Sequence, residues 1–249
     1  MIDLHCHILP GIDDGAPDLA VALEMARMAV ADGIVTVACT PHIMPGAYKN
    51  TGESIEAAVT RLAAALEEAA IPLHLVTGAD VHLAPNLLHE LRNGRVPTIG
   101  RSRYFLLEPP HHILPPRLHE FVFGLVAAGY VPILTHPERL SWIETHHDLI
   151  GRLASAGMLM QVTAGSLTGR FGRRARYWSQ RLLDQEVVHL LATDAHGTES
   201  RPPVLSRARD VVADRFGDAT AIRLVVTNPL RILENVLFSR VNRTDGNQA

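Results

Sequence analysis

Side chains of the types that bind metal ions follow nearly every predicted strand of this 249-residue sequence. They are His5, His7 and Asp13 or Asp14 after the first strand, His42, Asp80, Glu108 and His136 after the second to fifth strands, and Asp194 and His196 after the seventh. A single His-x-His pair would decide nothing, because 14 histidines in 249 residues produce about 0.8 such pairs by chance. Recurrence at six of seven strand ends instead predicts one shared metal site, since buried polar groups would otherwise each need a separate partner.

The donor types indicate a catalytic rather than a structural metal site. His5 and His7 share one face of the first strand, whereas Cys6 points to the opposite face and is not expected to be a ligand. Imidazoles and carboxylates without a thiolate suit Mn²⁺, Zn²⁺ or Fe²⁺. Nine ligand positions exceed the needs of one ion, so the sequence predicts two or three divalent ions.

Two arginines extend this chemistry to phosphate. Arg139 lies shortly after His136, and Arg201 follows His196 by a short loop. Guanidinium groups bind phosphate oxygens through paired hydrogen bonds, and neighbouring ions can share a hydroxide that attacks phosphorus. The residues therefore predict a metal-dependent phosphoester hydrolase in which both arginines contact the phosphate.

Alternating strands and helices must position these residues. The predicted strands are residues 2–4, 34–39, 73–76, 104–107, 131–134, 159–163 and 187–192. The predicted helices run from Pro17-Asp18 to Gly33, from Pro85 to about Asn93-Gly94, over 54–70, 118–128, 147–156, 173–184, 207–216 and 219–226, and onward from Asn228-Pro229. The predicted apolar stripe of the first helix is Leu19, Leu23, Ala26 and Val30, and that of the second, over 54–70, is Ile55, Val59, Leu62 and Leu66. This alternation predicts an α/β fold with a parallel sheet, either a barrel or an open doubly wound sheet, whose strand ends converge on one mouth. We expect one domain over residues 1–240 and a disordered tail over 241–249.

Composition excludes several classes of protein. Hydrophobic residues make up 47% and charged residues 20%, with a net charge of −3, so neither a nucleic-acid partner nor an anionic membrane surface is predicted. No signal peptide and no apolar segment of membrane-spanning length is visible. Cys6 and Cys39 lie in apolar strands and are expected to be buried, reduced thiols. A cytoplasmic protein is the expectation, and the oligomeric state is left open.

Five short motifs together resemble the polymerase and histidinol phosphatase (PHP) superfamily. They are residues 1–10, 13–15, 40–42, 135–139 and 193–196. Within the superfamily the sequence is most similar to bacterial tyrosine-protein phosphatases encoded with capsule and exopolysaccharide genes. Residues 97–104 and 163–172 add to the resemblance, which extends to about Leu237.

The resemblance implies a distorted (β/α)₇ barrel, similar to a TIM barrel, with three metal ions that are commonly manganese. It implies three ligand sets, which are His5, His7, Asp80 and Asp194; Asp80, Glu108 and His136; and Asp14, His42 and His196. It also implies that Arg139 and Arg201 meet the phosphate. The implied substrate is phosphotyrosine on the tail of a bacterial kinase that controls polysaccharide export.

The sequence departs from this family pattern at two positions. The carboxylate that bridges two ions is usually Glu, whereas here it is Asp80, which is one methylene shorter and could alter metal occupancy or preference. Ile43 stands where many relatives have a second histidine. Family position favours Asp14 over Asp13 as the ligand.

Other polar residues have ordinary structural interpretations. Core positions are predicted for His74 and His189, and solvated positions for His82, His89, His119, His146 and His147. His111 and His112 are expected at most to rim the site without binding metal. The arginines at 170, 173, 174, 176 and 181 could dock an acidic partner, but a solvated helix face is favoured. Tyr48 could stack on an aryl substrate or be an ordinary surface residue.

Competing functions remain at this stage. A small-molecule phosphatase, such as one acting on histidinol phosphate, would share the barrel and the ligands. A proofreading nuclease is disfavoured by the acidic net charge. A non-catalytic binding module is disfavoured because every ligand position keeps a metal-binding side chain.

Overall fold

Strands and helices alternate along the chain in the computed structural model, which describes residues 1–238. The strands are β1 (Ile2–Cys6), β2 (Thr36–Cys39), β3 (His42–Met44), β4 (Tyr48–Lys49), β5 (His74–Thr77), β6 (Asp80–His82), β7 (Tyr104–Glu108), β8 (Val131–Thr135), β9 (Leu159–Thr163) and β10 (Leu190–Ala192). The α-helices are α1 (Leu19–Ala31), α2 (Gly52–Glu68), α3 (Leu87–Arg92), α4 (Leu118–Ala127), α5 (Ile143–Ser155), α6 (Ala164–Leu167), α7 (Gly172–Asp184), α8 (Ser206–Phe216), α9 (Asp218–Ile222) and α10 (Asn228–Leu233). The predicted tail over 241–249 lies outside the described residues.

The sheet is parallel except where β3 pairs with β4 in a hairpin. Its strand order is β1-β2-β5 in one part and β10-β9-β8-β7-β6-β3-β4 in the other. Only two residues separate β2 from β3 and β5 from β6, so each pair is one long strand with an interruption. Counted in this way, seven parallel strands succeed one another, as the (β/α)₇ prediction requires.

The last strand returns to the first. The backbone N–H of Asp194 donates to the carbonyl of His5 at 2.8 Å, and that of His7 donates to the carbonyl of Ala195 at 2.9 Å. Cys6 and Ala195 form a parallel bridge. The first and last strands therefore come together where β1 and β10 end, which brings the first and last groups of predicted ligands together.

Apolar residues fill both faces of the sheet. A smaller cluster of buried side chains includes Leu4, Leu106, Ile133 and Leu190 from four different strands. Leu106 precedes Glu108 by two residues on the same face of β7, so this cluster lies one pleat before the predicted site. The larger cluster packs the opposite face against the helices and includes Cys6. Both cysteines are free and buried, as predicted.

The structure corrects some details of the sequence prediction. The stripe predicted for the second helix, Ile55, Val59, Leu62 and Leu66, is buried throughout. In α1, by contrast, Leu19 is 44% exposed. The buried face of that helix is instead made by Ala22, Met25, Ala26 and Ala29.

Three short strands, β3, β4 and β6, were not predicted. His74 begins β5 but is exposed, so its predicted core position is wrong. Within the described residues, no helix is both long enough and apolar enough to cross a membrane.

Candidate metal centre

The first group of predicted ligands meets at the end of β1. His5 Nε2 lies 3.2 Å from His7 Nε2, 3.4 Å from Asp80 Oδ2 and 3.3 Å from Asp194 Oδ1. All four side chains are buried. Two imidazole nitrogens and two carboxylates thus converge on one point, although they come from both ends of the sequence.

A second group surrounds Glu108 at the end of β7. His136 Nε2 lies 3.4 Å and His111 Nε2 3.0 Å from Glu108 Oε1. His82 Nε2 lies 2.5 Å and His42 Nδ1 3.5 Å from Glu108 Oε2. Four imidazoles therefore face the two oxygens of one carboxylate.

A third group contains His7, Asp14, His42 and His196, whose donor atoms all lie within 4.8 Å of one another. Asp14 Oδ1 lies 3.5 Å from His42 Nε2 and 3.6 Å from His196 Nε2. Asp13 instead faces His7 Nδ1 at 2.7 Å and accepts the backbone N–H of His42 at 3.0 Å. The structure thus places Asp14 in the cluster, while Asp13 orients His7 from behind, as carboxylates often orient metal-binding histidines.

The buried donors fit divalent cations. No hydrogen-bond partner among the described residues serves His42 Nδ1, either Asp80 oxygen or His136 Nδ1. Buried polar atoms normally find a partner, because leaving one unpaired is costly. Imidazole nitrogens and carboxylate oxygens that converge without partners are the donor set of a catalytic divalent-ion site.

Mutual electrostatics shift the pKa values of these groups. Burial acts to lower the pKa of His5, but Asp194 and Asp80 raise it to about 9. Burial acts to raise the pKa of Asp194, but His5, Arg201, His136 and Arg139 hold it well below its usual range. Burial acts to raise the pKa of Glu108, which hydrogen bonds from His111, His136 and His82 lower strongly. Asp194 and Glu108 are therefore ionised at neutral pH and available to metal ions.

Unusual backbone conformations aim two of the ligands. His136 follows β8 with φ of 35°, and Asp194 follows β10 with φ of 52°. Non-glycine residues avoid this left-handed region, and it costs on the order of 1 kcal/mol or more to hold them there. Glu138 fixes the first of these turns, because it is buried and accepts hydrogen bonds from Ser166 Oγ at 2.7 Å and Thr163 N–H at 3.0 Å.

Both predicted arginines lie at the mouth. Arg139 Nη1 is 2.6 Å and Arg201 Nη2 2.5 Å from Asp194 Oδ2. The Phe171 ring lies beside both guanidinium groups, with its centroid 4.4 Å from Cζ of Arg139 and 5.8 Å from Cζ of Arg201. Two partly exposed guanidiniums next to a metal ligand can take up the oxygens of a phosphoryl group.

The arginine-rich segment over 170–181 was predicted to be a solvated helix face, and this prediction is wrong for two of its arginines. Arg170 Nη1 donates to the carbonyl of Ser200 at 2.6 Å, directly before Arg201. Arg174 Nη2 donates to the carbonyl of Leu140 at 2.8 Å, directly after Arg139. These two arginines hold the loops that carry the predicted phosphate-binding residues. The prediction stands for Arg173 and Arg176, which are exposed.

Sequence reasoning missed His82 and His111. His82 was predicted to be solvated, but it lies in β6 against Glu108, so that prediction is wrong. The available signal was alternation, since Asp80 and His82 share one face of β6 as His5 and His7 share one face of β1. His111 was expected to lie at most at the rim of the site, but its imidazole contacts Glu108 directly. His112 is exposed.

The remaining polar residues largely follow the predictions. His89, His119 and His146 are exposed, while His147 is half-buried beside Asp148. His189 is partly buried and accepts the backbone N–H of Met160 at 3.1 Å. Tyr48 stacks on the ring of His42, with centroids 5.5 Å apart. An aromatic side chain therefore lies directly beside the third ligand group.

Comparisons with known proteins identify the family of the chain. The family described as capsular polysaccharide synthesis, CpsB/CapC, matches residues 1–234. Tyrosine-protein phosphatase YwqE of Bacillus subtilis is 34% identical over 238 residues, which cover 96% of this chain and 94% of that protein. Tyrosine-protein phosphatase CpsB of Streptococcus pneumoniae is 27% identical over 243 residues, covering 96% of this chain and all of that protein.

Solved structures support the same relationship. A crystal structure from a study of YwqE and CpsB, described there as unique metal-dependent tyrosine phosphatases, superposes with a TM-score of 0.92 at 34% identity and covers 96% of both chains. A phosphotriesterase from Mycobacterium tuberculosis superposes with a TM-score of 0.53 at 13% identity, covering 94% of both chains. The latter likeness concerns the fold alone.

Proposed function

Because the chain belongs to the CpsB/CapC family of capsular polysaccharide synthesis, we propose that it is a metal-dependent tyrosine-protein phosphatase that hydrolyses phosphotyrosine in proteins. One observation carries the proposal for this chain. Nine histidine and carboxylate side chains of types that bind metal ions come from across the sequence and lie together beside two arginines. A phosphate monoester needs these two recognition elements, cations that screen its charge and donors that bind its oxygens.

We assign three ligand sets. The first is His5, His7, Asp80 and Asp194; the second is Asp80, Glu108 and His136; and the third is Asp14, His42 and His196. Two or three divalent ions would occupy them, with Mn²⁺ as our first choice and Zn²⁺ or Fe²⁺ as alternatives. When bound, such ions supply an activated water nucleophile and stabilise charge on the phosphoryl oxygens.

The residues of the chain contribute binding and orientation. Arg139 and Arg201 would bind the oxygens of the phosphoryl group, and the ring of Phe171 would keep the two guanidinium groups in position. Asp13 keeps the His7 ring in place, and Gln161 Oε1 does the same for His5 through its Nδ1 at 2.9 Å. Such groups contribute because holding the metal ligands and the substrate in the reactive orientation lowers the activation free energy of the reaction.

The substrate would be a tyrosine-phosphorylated protein, and the tail of a bacterial kinase controlling polysaccharide synthesis is our specific proposal. A cytoplasmic location is part of the same proposal, since such a tail and two free, buried cysteines both belong in a reducing compartment. No nucleic-acid partner is proposed for a chain with a net charge of −3.

The test compares a phosphotyrosyl peptide with histidinol phosphate as substrates in the presence of Mn²⁺. Wild type should turn over the peptide, and His136→Ala should lose at least about 100-fold in kcat/KM, because it removes a metal ligand. His119→Ala, at an exposed position, is the matched control. Turnover of histidinol phosphate alone would replace the proposal with a small-molecule phosphatase, and no turnover of either would favour a binding module.

A further inference from the structure

The donors around Glu108 differ from those that the family resemblance implies. The resemblance pairs Glu108 and His136 with Asp80. In the structure, Glu108 belongs to two groups of donor atoms that lie within 4.8 Å of one another, one with His111 and His136 and one with His42 and His82, while Asp80 groups with His5 and His7. Asp80 has a side chain one methylene shorter than the Glu of the family pattern, and its Oδ2 lies 3.4 Å from His5 Nε2 in the first group.

The distances around Glu108 match those between ligands of one ion. Metal–nitrogen and metal–oxygen bonds of about 2.0–2.1 Å place neighbouring ligand atoms roughly 3.0 Å apart at a right angle and roughly 3.4 Å apart at a tetrahedral angle. Glu108 Oε1 lies 3.0 Å from His111 Nε2 and 3.4 Å from His136 Nε2. The centroids of the two imidazole rings are 4.8 Å apart. These three donors can therefore meet at one ion with little movement.

The loop that carries His111 is fixed to the turn that carries His136. The backbone N–H of Ser141 donates to the carbonyl of His111 at 2.9 Å, and Ser141 Oγ donates to the same oxygen at 3.0 Å. Trp142 Nε1 donates to the carbonyl of Pro110 at 3.1 Å. His111 is thus held where a ligand must be held, since a metal site needs side chains positioned by supporting contacts.

His82 completes the surroundings of the same carboxylate. Its Nε2 contacts Glu108 Oε2, the oxygen that faces away from His111 and His136. The parallel register sets His82 directly beside Glu108, so this contact follows from the sheet itself. His82 therefore orients the carboxylate, and His111 and His136 remain to share its other oxygen with an ion.

We propose that His111 is a ligand of the metal ion held by Glu108 and His136, and that it takes the place that Asp80 is too short to fill. The inference rests on the proposed metal centre and adds a ligand to it. Two imidazoles and one carboxylate are the protein donors of many catalytic Zn²⁺ and non-haem Fe²⁺ sites, whereas Mn²⁺ is better served by oxygen donors. This one position should therefore prefer Zn²⁺ or Fe²⁺ to Mn²⁺.

The test measures metal binding directly. Wild type, His111→Thr and His112→Thr are stripped of metal, equilibrated with Zn²⁺ at fixed free concentrations and assayed for bound zinc by mass spectrometry. His112 is the matched control because it is the adjacent histidine and is exposed. His111→Thr should weaken Zn²⁺ binding at one position by at least about 10-fold and Mn²⁺ binding much less, while His112→Thr should bind as wild type does.

A second variant tests whether His111 takes the place of the longer side chain that Asp80 lacks. Asp80→Glu restores the longer side chain, so adding it to His111→Thr should recover the lost zinc equivalent. Zinc-edge anomalous diffraction from wild-type crystals should place an ion about 2.1 Å from His111 Nε2.

Each failure has a distinct meaning. Equal zinc binding by His111→Thr and His112→Thr, an unrescued double variant, or an ion remote from His111 would overturn the inference and leave the phosphatase proposal intact. A wild type that binds no divalent ion would overturn the metal centre itself.

Discussion

At the scale of single residues, the site depends on side chains held in costly positions. His136 and Asp194 occupy the left-handed backbone region, and Asp3 is a fully buried carboxylate. Burial raises the pKa of Asp3 to about 6 against hydrogen bonds from Thr193 that act to lower it. Asp3 accepts the backbone N–H of Thr193 and so fixes the chain directly before Asp194. The burial of this carboxylate therefore costs folding free energy but holds Asp194 in its position.

Away from the site, His189 predicts a pH effect on stability. Burial, aided by Arg223, lowers its pKa to about 4, although a backbone hydrogen bond acts in the opposite direction. Between pH 6.5 and 4 the unfolded chain therefore binds more protons at this position than the folded chain, so stability falls as pH falls. From pH 7.5 to 5 the loss from this residue should be about 2 kcal/mol.

His189→Asn tests this effect, because its Oδ1 can still accept the N–H of Met160 but does not titrate. Urea unfolding of metal-free protein at pH 7.5 and 5 should show a smaller loss of stability in this variant than in wild type. His119→Asn, at an exposed position, is the control for losing an imidazole. Equal losses in His189→Asn and wild type would contradict the prediction.

At the scale of elements, the turn between α6 and α7 supports both arginines that we propose to bind phosphate. Phe171 lies in this turn, and its ring packs so closely on Gly165 that a Cβ there would come within 2.9 Å of it. Arg170, next to Phe171, holds the loop before Arg201. One short segment thus positions two arginines that are far apart in sequence.

Replacing Phe171 should therefore affect substrate binding more than turnover. Phe171→Leu keeps an apolar side chain but removes the π face, so loss of about 1 kcal/mol of cation–π attraction should raise KM for a phosphotyrosyl peptide about fivefold, with kcat less changed. Phe171→Trp should retain the wild-type KM. Phe123→Leu is the control, because Phe123 is an exposed aromatic residue on α4. A KM unchanged in Phe171→Leu, or not retained in Phe171→Trp, would exclude this positioning role.

Elements with strong periodicity were predictable from the sequence, and short interrupted ones were not. The apolar repeat of α2 and the β-branched segment around β2 can be recognised from the local sequence alone. The strands β3 and β6 are three residues long and carry His42 and Asp80, whose side chains serve the site rather than the core. Their backbone pairing depends on neighbouring strands, which no local pattern reveals.

The same reasoning explains what was predictable of the site. Candidate ligands that lie just beyond strands predicted from local pattern, such as His136 and Asp194, were found because strand ends converge in a parallel sheet. The contact of His111 with Glu108 was not predicted, because His111 lies in a proline-rich loop whose path is set by contacts with Ser141 and Trp142. The support given by Arg170 and Arg174 also depends on tertiary hydrogen bonds to distant loops.

At the scale of the whole molecule, the metal centre joins the two ends of the chain. Its proposed ligands come from β1 and the loop after it, from β3, β6 and β7, and from the turns after β8 and β10. Strand β1 meets β10 at this same place through the bridge between Cys6 and Ala195. Metal ions bound here would link strands around the whole barrel, so they should stabilise the global fold rather than one local element.

Metal removal should therefore lower the melting temperature of the entire domain. A free ion concentration of 100 times Kd stabilises the folded state by about 2.7 kcal/mol, which corresponds to about 5–10 °C for a domain of this size. Calorimetry with Mn²⁺ and with EDTA should show this difference as the shift of one transition. Asp194→Asn should lose most of the shift, since Asn tolerates the left-handed backbone of Asp194 but is a weaker ligand, whereas Asp214→Asn, at an exposed position, should keep it. Equal metal-induced shifts in the two variants would mean that the ions bind elsewhere, and the strand ends would then have to be held together by the sheet alone.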